Sequence, residues 1–171
     1  MGSRIRCWCV PLALSLIVCG VDAARGQGTA EQPAVRNVDE MTFAPVPGLP
    51  TCTPSSVQSG DPRKAASVIL AKMATGCSIP WHWHTANERL MLVSGVARVE
   101  AKDGKPLTLR AGGYAMMPSR HIHQFRCTAS CVLYVYSDAA LDIHYVDGQG
   151  KDISPDVALK AVKETAAKPP K

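Results

Sequence analysis

Two histidines, His82 and His84, are separated by one residue, and Glu88 follows four residues after the second. Successive side chains of a β-strand point to opposite faces, so both imidazoles project from one face and Glu88 has the same parity. Two imidazoles and a carboxylate form a donor set that suits iron, manganese, nickel, copper or zinc. A lone His-x-His pair more often marks the polar face of an exposed strand. A metal site therefore requires support from the surrounding residues and one further ligand.

Glycines at fixed distances extend this pattern on both sides. Five residues separate Gly76 from His82, three separate His84 from Glu88, and six separate Glu88 from Gly95. The set resembles the first motif of the cupin superfamily at every defining position. This resemblance indicates the fold and a metal site, but fold alone does not specify a reaction.

A second set of spaced residues lies downstream. Pro118 follows Gly112 after five residues, and His123 comes five residues further on. This set resembles the second cupin motif, and the resemblance, which covers about residues 66 to 146, implies that His123 is the fourth ligand. The metal ligands would then be His82, His84, Glu88 and His123, holding one divalent ion of iron, manganese, nickel, copper or zinc.

Two positions depart from the second motif. The family usually has glycine two residues after the proline and asparagine four residues after the histidine, and here these positions hold Arg120 and Cys127. Neither departure removes a ligand. An arginine at position 120 must either adopt an unusual backbone angle or reshape the loop.

The body of the chain contains many short apolar segments punctuated by glycine, which indicates an antiparallel sandwich or barrel. The resemblance selects an all-β fold, the double-stranded β-helix (jelly-roll) of a cupin barrel. Ser154 as a cap and Pro155 at the first helical position predict a short C-terminal helix on the outside of the barrel. The predicted strands are residues 65–74, 78–84, 88–93, 96–102, 106–109, 113–117, 121–127, 131–137 and 141–146.

The ends of the chain differ from this body. Residues 1–23 resemble a cleaved signal peptide, with a basic start, an apolar core too short for a comfortable membrane span and a small-residue cleavage site. Residues 24–42 are predicted to be a mobile segment, residues 43–150 the cupin β-barrel domain, and residues 151–171 the C-terminal helix and tail. The expected destination is the periplasm or the exterior, with no membrane span in the mature form.

The charge of the mature chain excludes one class of partner. Removal of residues 1–23 leaves 17 basic and 13 acidic side chains, a formal charge of +4. The basic residues are scattered and are not interleaved with aromatic residues, so nucleic acid is not an expected partner.

Four cysteines remain after removal of the predicted signal, and an even number in an exported chain suggests disulfides. Cys127 and Cys131 flank a short segment between two apolar runs, and we predict that they form a bridge across a hairpin. Pairing of Cys52 with Cys77 follows only by elimination, and free thiols are the alternative.

The strand parity that turns His82 and His84 inward sends Trp81 and Trp83 outward. Exposed tryptophans are costly because each can bury a large apolar area. An N-terminal strand, the C-terminal helix or a second subunit could cover them. Cupins commonly pair through such outer faces, so a homodimer is one of these expectations.

His121 lies two residues before His123 and would share its inward face if the strand is regular. It is then either a residue at the mouth of the barrel or a proton shuttle near the metal. Glu88 and His121 are the candidate catalytic residues. The leading hypothesis is an exported metal-dependent cupin, dioxygenase-like or isomerase-like, acting on a small organic ligand, and an oxidoreductase if it is catalytic. The alternative is a non-catalytic module that binds a metal or a small ligand.

Overall fold

The computed structural model describes residues 33–167. The predicted signal peptide, residues 1–23, lies outside them, as does part of the predicted mobile segment. No helix among the described residues is long and apolar enough to span a membrane.

The described chain is an antiparallel β-structure of eight strands, followed by one helix. Strands β1, β2, β7, β3 and β8 lie side by side in that order, while β4 pairs with β5, β6 and β7. This confirms the predicted all-β jelly-roll with a short C-terminal helix. The elements are β1 (Ser55–Gly60), β2 (Ser67–Met73), β3 (Ser78–Trp83), β4 (Glu88–Ala101), β5 (Leu107–Arg110), β6 (Tyr114–Met117), β7 (His123–Ser137), β8 (His144–Tyr145) and α1 (Pro155–Ala167).

Two long strands, β4 and β7, connect the halves of the barrel. They pair along nearly their whole length, from Glu88 opposite Ser137 to Ala101 opposite His123, with register shifts near their middles. Each corresponds to two strands of the sequence analysis, because the chain bends at a bulge there instead of leaving the sheet. The separate strands predicted on either side of Gly95 and Ser130 were therefore wrong in their boundaries.

Gly95 lies at the bend of β4 and has a positive φ of 93°. A Cβ atom at this position would lie 2.0 Å from the carbonyl oxygen of Ser130 in β7. No side chain fits at that distance, so glycine allows the two long strands to stay paired through the bend. This accounts for the last glycine of the first motif.

Strand parity in β3 and β4 is as the sequence predicts. His82 and His84 are buried, and Trp81 and Trp83 are half-buried on the other face. The next strand follows the same alternation, since Leu90 and Leu92 are buried whereas Val93 is exposed. The core inside the barrel is built by alternate residues of the strands, including Ala71, Met73, Leu90, Leu92, Ala97, Val99, Phe125 and Leu133.

The outward tryptophans have partners within the same chain. The Trp83 ring stacks on His144 with centroids 3.9 Å apart, and the Arg120 guanidinium lies 4.9 Å from the ring centroid. The ammonium group of Lys102 lies 5.1 Å from the Trp81 ring. These contacts supply part of the cover that the tryptophans require. The homodimer stays a prediction.

Helix α1 begins as predicted. The Ser154 hydroxyl accepts a hydrogen bond from the Val157 amide at 3.4 Å, and Pro155 is the first helical residue. The helix contacts β3 and β8 and buries Ala158 against the barrel. It therefore lies on the outside of the barrel, as expected, and Val157 in its first turn is exposed.

Both disulfides are formed, Cys52–Cys77 and Cys127–Cys131. The expected hairpin between Cys127 and Cys131 is wrong, since both residues belong to β7 and each half of that strand pairs with β4. Their Cα atoms are 5.9 Å apart because the strand bulges over the intervening residues. Cys127, which replaces the family's asparagine, is thus a fully buried half of a crosslink.

Strand β1, with the residues before it, was not predicted. It pairs with β2 in register from Ser55 opposite Ala71, and the isolated bridge from Ala44 to Ser55 extends the edge. The four prolines between Pro45 and Pro54 suit the turns and the sheet edge that precede β1, although no strand over residues 55–60 was predicted. The Cys52–Cys77 bridge ties it to the turn that precedes β3.

The two disulfides should differ in their contributions to stability. Chain entropy predicts about 3.5 kcal/mol for Cys52–Cys77, which spans 25 residues, and about 2 kcal/mol for Cys127–Cys131, which spans 4. We expect reduction to lower the free energy of unfolding more in Cys127→Ala/Cys131→Ala, which keeps the long bridge, than in Cys52→Ala/Cys77→Ala. Urea unfolding of each variant, oxidised and reduced, measures this. The reverse order would contradict the chain-entropy argument.

Candidate metal centre

The four predicted ligands meet at one place in the barrel. His82 lies in β3 and pairs in register with His123, the first residue of β7. His84 follows β3 directly, and Glu88 begins β4. The strands bring residues that are up to 41 positions apart in sequence onto one inner surface. All four side chains are buried.

A backbone carbonyl fixes the orientation of each imidazole. The Nδ1 atom of His82 lies 2.6 Å from the Pro80 oxygen, that of His123 lies 2.9 Å from the His121 oxygen, and that of His84 is bonded to the Asp142 oxygen. A carbonyl oxygen can only accept, so each Nδ1 carries the hydrogen. In the neutral ring the lone pair is then on Nε2, which is the form that binds metals.

These lone pairs converge. One ligand atom from each of His82, His84 and His123 can be chosen so that all three lie within 4.8 Å of one another. The Glu88 carboxylate oxygens lie 3.5 Å from His84 Nε2 and 3.3 Å from His123 Nε2. Those two Nε2 atoms are buried and meet no hydrogen-bond partner of good geometry.

Unpartnered lone pairs facing a buried carboxylate are unfavourable unless a cation or a shared proton lies among them. The arrangement consists only of acceptors, three imidazole nitrogens and carboxylate oxygens. Such a donor set matches divalent transition metals or zinc, and the buried Nε2 atoms fit such an ion. The cluster can therefore hold a metal through the histidine triad, with Glu88 beside it.

The electrostatics keep the cluster in the form that binds a cation. Burial, reinforced by His123 and His84, holds the pKa of His82 well below its ordinary 6.5. Burial raises the pKa of Glu88, but when a shared proton charges the imidazoles beside it, the hydrogen bond from His123 and the positive charge on His84 and His123 outweigh burial and lower it. His82 is thus neutral and Glu88 ionised near neutral pH.

Asp142 is a positioning residue for His84. Its backbone oxygen accepts the His84 Nδ1 hydrogen, and its carboxylate accepts from the Thr85 amide at 2.7 Å and the Thr85 hydroxyl at 2.6 Å. Burial raises the pKa of Asp142, but Thr85 and then His144 outweigh it and lower the pKa to about 2. The stabilisation from this carboxylate is therefore present above its ordinary 3.8 and is lost as pH falls toward about 2.

A second clamp holds the turn between β3 and β4. The Asp138 carboxylate accepts from the Asn87 amide at 2.9 Å and from its side chain at 2.6 Å, and the Asn87 side-chain oxygen accepts from the Ser119 amide. Asn87 immediately precedes Glu88. The clamp therefore fixes the backbone from which the carboxylate enters the cluster.

His121 is the predicted site residue that the structure does not bring into the cluster. The strand β7 begins only at His123, so the alternation that would turn His121 inward does not extend to it. Its Nε2 lies 3.5 Å from the exposed carboxylate of Asp103. Of the two alternatives for His121, this position gives no support to a proton shuttle near the metal, and its catalytic role stays a prediction. Its backbone oxygen, and not its ring, serves the site by orienting His123.

Arg120 resolves the first departure from the motif by adopting the unusual backbone angle. Its φ is 61°, the left-handed conformation that glycine would take without cost. Its amide donates to the His84 oxygen at 2.8 Å, and its side chain lies over Trp83. The guanidinium is thus on the outer face. His144 has a structural role: its ring stacks on Trp83, and its Nε2 lies 2.9 Å from the Asp142 carboxylate.

A cavity of about 720 Å³ opens beside the cluster. Its volume is within the usual range of sites for small molecules, roughly 300 to 1,000 Å³. The cluster forms one part of the wall, and residues of β1, β2, β4 and β7 form the apolar remainder. The segment 44–63 and residues 141–143 complete the lining.

Residues 69–137 match the family model named Cupin domain. The chain contains a small cupin domain. Both motifs of the sequence analysis lie largely within the match, and the three histidines and Glu88 all fall inside it. No curated protein matches the chain in sequence.

Solved structures agree on this fold. A protein with a double-stranded β-helix domain from Klebsiella pneumoniae has a TM-score of 0.54 and 18% identity, covering 68% of this chain and 99% of its own. An RmlC-like cupin from Shewanella frigidimarina has a TM-score of 0.54 and 16% identity, covering 64% and 93%. A candidate acetylacetone dioxygenase from Methylibium petroleiphilum has a TM-score of 0.55 and 15% identity, covering 72% and 88%. At these identities the likeness shows the fold alone.

Sequence reasoning did not find the residues that support the cluster. Asp142 acts partly through its backbone oxygen, which any residue could supply, so no residue type marks that role. Asn87 and Asp138 are 51 positions apart, and nothing local connects them. Only the position of Asn87 in the predicted turn before Glu88 gave a signal, because asparagine is favoured in turns.

We predict that Asp142→Asn weakens metal binding roughly 10-fold to 100-fold, the usual cost of losing a partner that orients a ligand. The change removes the charge that holds Thr85 and the segment carrying the carbonyl for His84. Competition against a calibrated chelator measures the affinity. Asp147→Asn is a matched control, since Asp147 accepts backbone amides in a turn that does not line the cavity. An affinity for Asp142→Asn equal to that of the control would contradict this role.

Proposed function

We propose that this chain is an exported, metal-dependent cupin that binds a small organic ligand at a centre formed by His82, His84, Glu88 and His123. One observation carries the proposal. Three buried imidazoles each give their Nδ1 hydrogen to a carbonyl, and the Nε2 atoms of His84 and His123 face Glu88 at the wall of a ligand-sized cavity. A purely structural histidine cluster gains nothing from two buried, unpartnered Nε2 lone pairs.

The residues of the centre divide the chemical tasks. A bound divalent ion supplies Lewis acidity toward a carbonyl or enol oxygen of the ligand. Glu88 is the carboxylate of the centre, and in its ionised form it could accept a proton from the ligand. The apolar wall excludes water from the reacting end. These tasks are compatible with dioxygenase-like or isomerase-like chemistry, and an oxidoreductase is the expected class if the protein is catalytic.

A non-catalytic binding module is the second candidate, and the position of His121 favours it. An enzyme of this type usually needs a second titratable group within reach of the substrate. His121 was the expected group, and it faces Asp103 instead of the cavity. Glu88 alone must then act as acid and base, which a binder does not require.

Export is part of the proposal. Its support is the signal-like pattern of residues 1–23, and the two disulfides are consistent with an oxidising compartment. Cell fractionation with N-terminal sequencing tests it: a mature chain that begins near residue 24 in the periplasm or medium supports export, and an intact start in the cytoplasm contradicts it.

We predict that His82→Ala/His123→Ala abolishes retention of one metal ion per chain. Elemental analysis after purification without added metal salts measures this, and the melting temperature of the wild type should fall on chelation because bound metal stabilises the native state. His121→Ala is the matched control and should keep the metal. Equal metal content in all three proteins, or no metal in the wild type after reloading, would contradict the site.

Oxygen consumption separates the two candidate functions. The metal-loaded protein is supplied with a panel of catechols, flavonols and small dicarbonyls, the last partly because a structural neighbour is named as a candidate acetylacetone dioxygenase. Uptake that disappears in Glu88→Gln while metal is retained supports catalysis. Ligand binding by calorimetry with no uptake and no product by mass spectrometry supports the binding module.

A further inference from the structure

We propose, resting on the function above, that the ligand has an oxygen-bearing end at the metal and an uncharged apolar body that extends toward Ala71 and Ser55. These two small residues then set the length of ligand that the cavity accepts. The inference concerns the part of the cavity beyond the cluster, which the metal site by itself does not specify.

The strand register defines the direction of the cavity. Glu88 lies opposite Ser137, and two residues further along β4 a first row places Leu90 beside Val135, Ile69 and Val57 across the sheet. Two residues further still, a second row places Leu92 beside Leu133, Ala71 and Ser55. All members of these rows except Leu92 line the cavity. A ligand anchored at Glu88 therefore passes the first row before it reaches the second.

The second row has smaller side chains on β1 and β2 than the first row. The first row presents branched side chains from all four strands, whereas the second presents a methyl group at Ala71 and a hydroxymethyl group at Ser55, directly opposite each other in β2 and β1. Two small residues facing each other leave space for ligand atoms that larger side chains would fill. Ala71 is buried in the barrel, and Ser55 lies on the edge strand.

The lining has few charged groups that could neutralise a charge on the ligand body. Among the described lining residues the only lysine or arginine is Arg63, whose side chain is 86% exposed and lies 3.5 Å from the Asp61 carboxylate. The Ser55 hydroxyl donates to the Thr53 oxygen, and the Thr53 hydroxyl donates to the Pro50 oxygen. A carboxylate or phosphate remote from the metal would lack a buried counter-charge, which is costly.

A homologous series of alkyl hydroxamic acids tests the inference. These probes carry a neutral head that binds metals and a straight apolar tail, from acetohydroxamic to octanohydroxamic acid. We expect calorimetric affinity to rise roughly fourfold for each added methylene, the value for burial of a CH₂ group, until the tail reaches the second row. A tail that ends in a carboxylate, as in suberic monohydroxamic acid, should lose this gain. Affinity independent of tail length, or unaffected by the terminal carboxylate, would overturn the inference.

Variants locate the end of the ligand. Ala71→Leu and Ser55→Leu fill the second row from two different strands, so one can replace the other if it does not fold. Each should lower the affinity for the longest tail at least tenfold and leave acetohydroxamic acid unchanged. Ser56→Leu makes the same change on the other face of β1, does not line the cavity and should match the wild type. Equal binding of the longest tail in all folded variants would overturn the assignment of Ala71 and Ser55.

The same series on chelator-treated protein separates this inference from the proposed function. If affinity still rises with tail length but added metal does not raise the affinity for the head group, the result would support the apolar cavity and contradict the metal centre. Retained metal without a tail-length dependence would contradict the inference and leave the centre intact.

Discussion

The site depends on three hydrogen bonds from imidazole Nδ1 atoms to backbone carbonyls of Pro80, His121 and Asp142. Each bond selects one tautomer and one ring orientation, and together they bring the three imidazoles to one place, with the Nε2 atoms of His84 and His123 toward Glu88. Two of the carbonyls precede their histidine by two residues, so the local backbone supplies them. The third comes from the chain before β8, which must be packed in place before His84 is oriented. Folding of the barrel and preparation of the site are thus the same event.

The motifs predicted which four side chains meet in the barrel, because each constraint is local or periodic. Alternation in β3 places His82 and His84 on one face, and Gly95 is required where β4 bends against Ser130. The way in which the strands pair was harder to predict from the sequence. A bulge and a turn have similar sequences, so the two halves of β7 were interpreted as a hairpin. The proline-rich segment before β1 suits edge strands and turns, but nothing in its sequence indicates that it lines the cavity. His121 was misplaced because alternation holds only within a strand, and β7 starts two residues later.

Much of what distinguishes this chain lies away from the ligands. Arg120, which stands where the family usually has glycine, adopts a left-handed conformation and donates its amide hydrogen to the His84 oxygen. Its guanidinium lies over Trp83, so this residue connects the loop before β7 to the outer face of the barrel. Cys127 replaces a polar family residue with a crosslink. The Cys52–Cys77 bridge ties the chain before β1 to the barrel, and that chain forms part of the cavity. The four candidate ligands belong to the two motifs, while the cavity is shaped by residues that the motifs do not include.

The most direct test of this account is the protonation of the three imidazoles, measured by long-range proton–nitrogen NMR on metal-free protein and repeated after addition of zinc as a diamagnetic probe. The account predicts that His82, His84 and His123 are Nδ1–H tautomers without metal and that zinc shifts their Nε2 resonances together, while His121 and His144 are unaffected. Nε2–H tautomers at these three positions, or zinc shifts confined to His121 and His144, would contradict it.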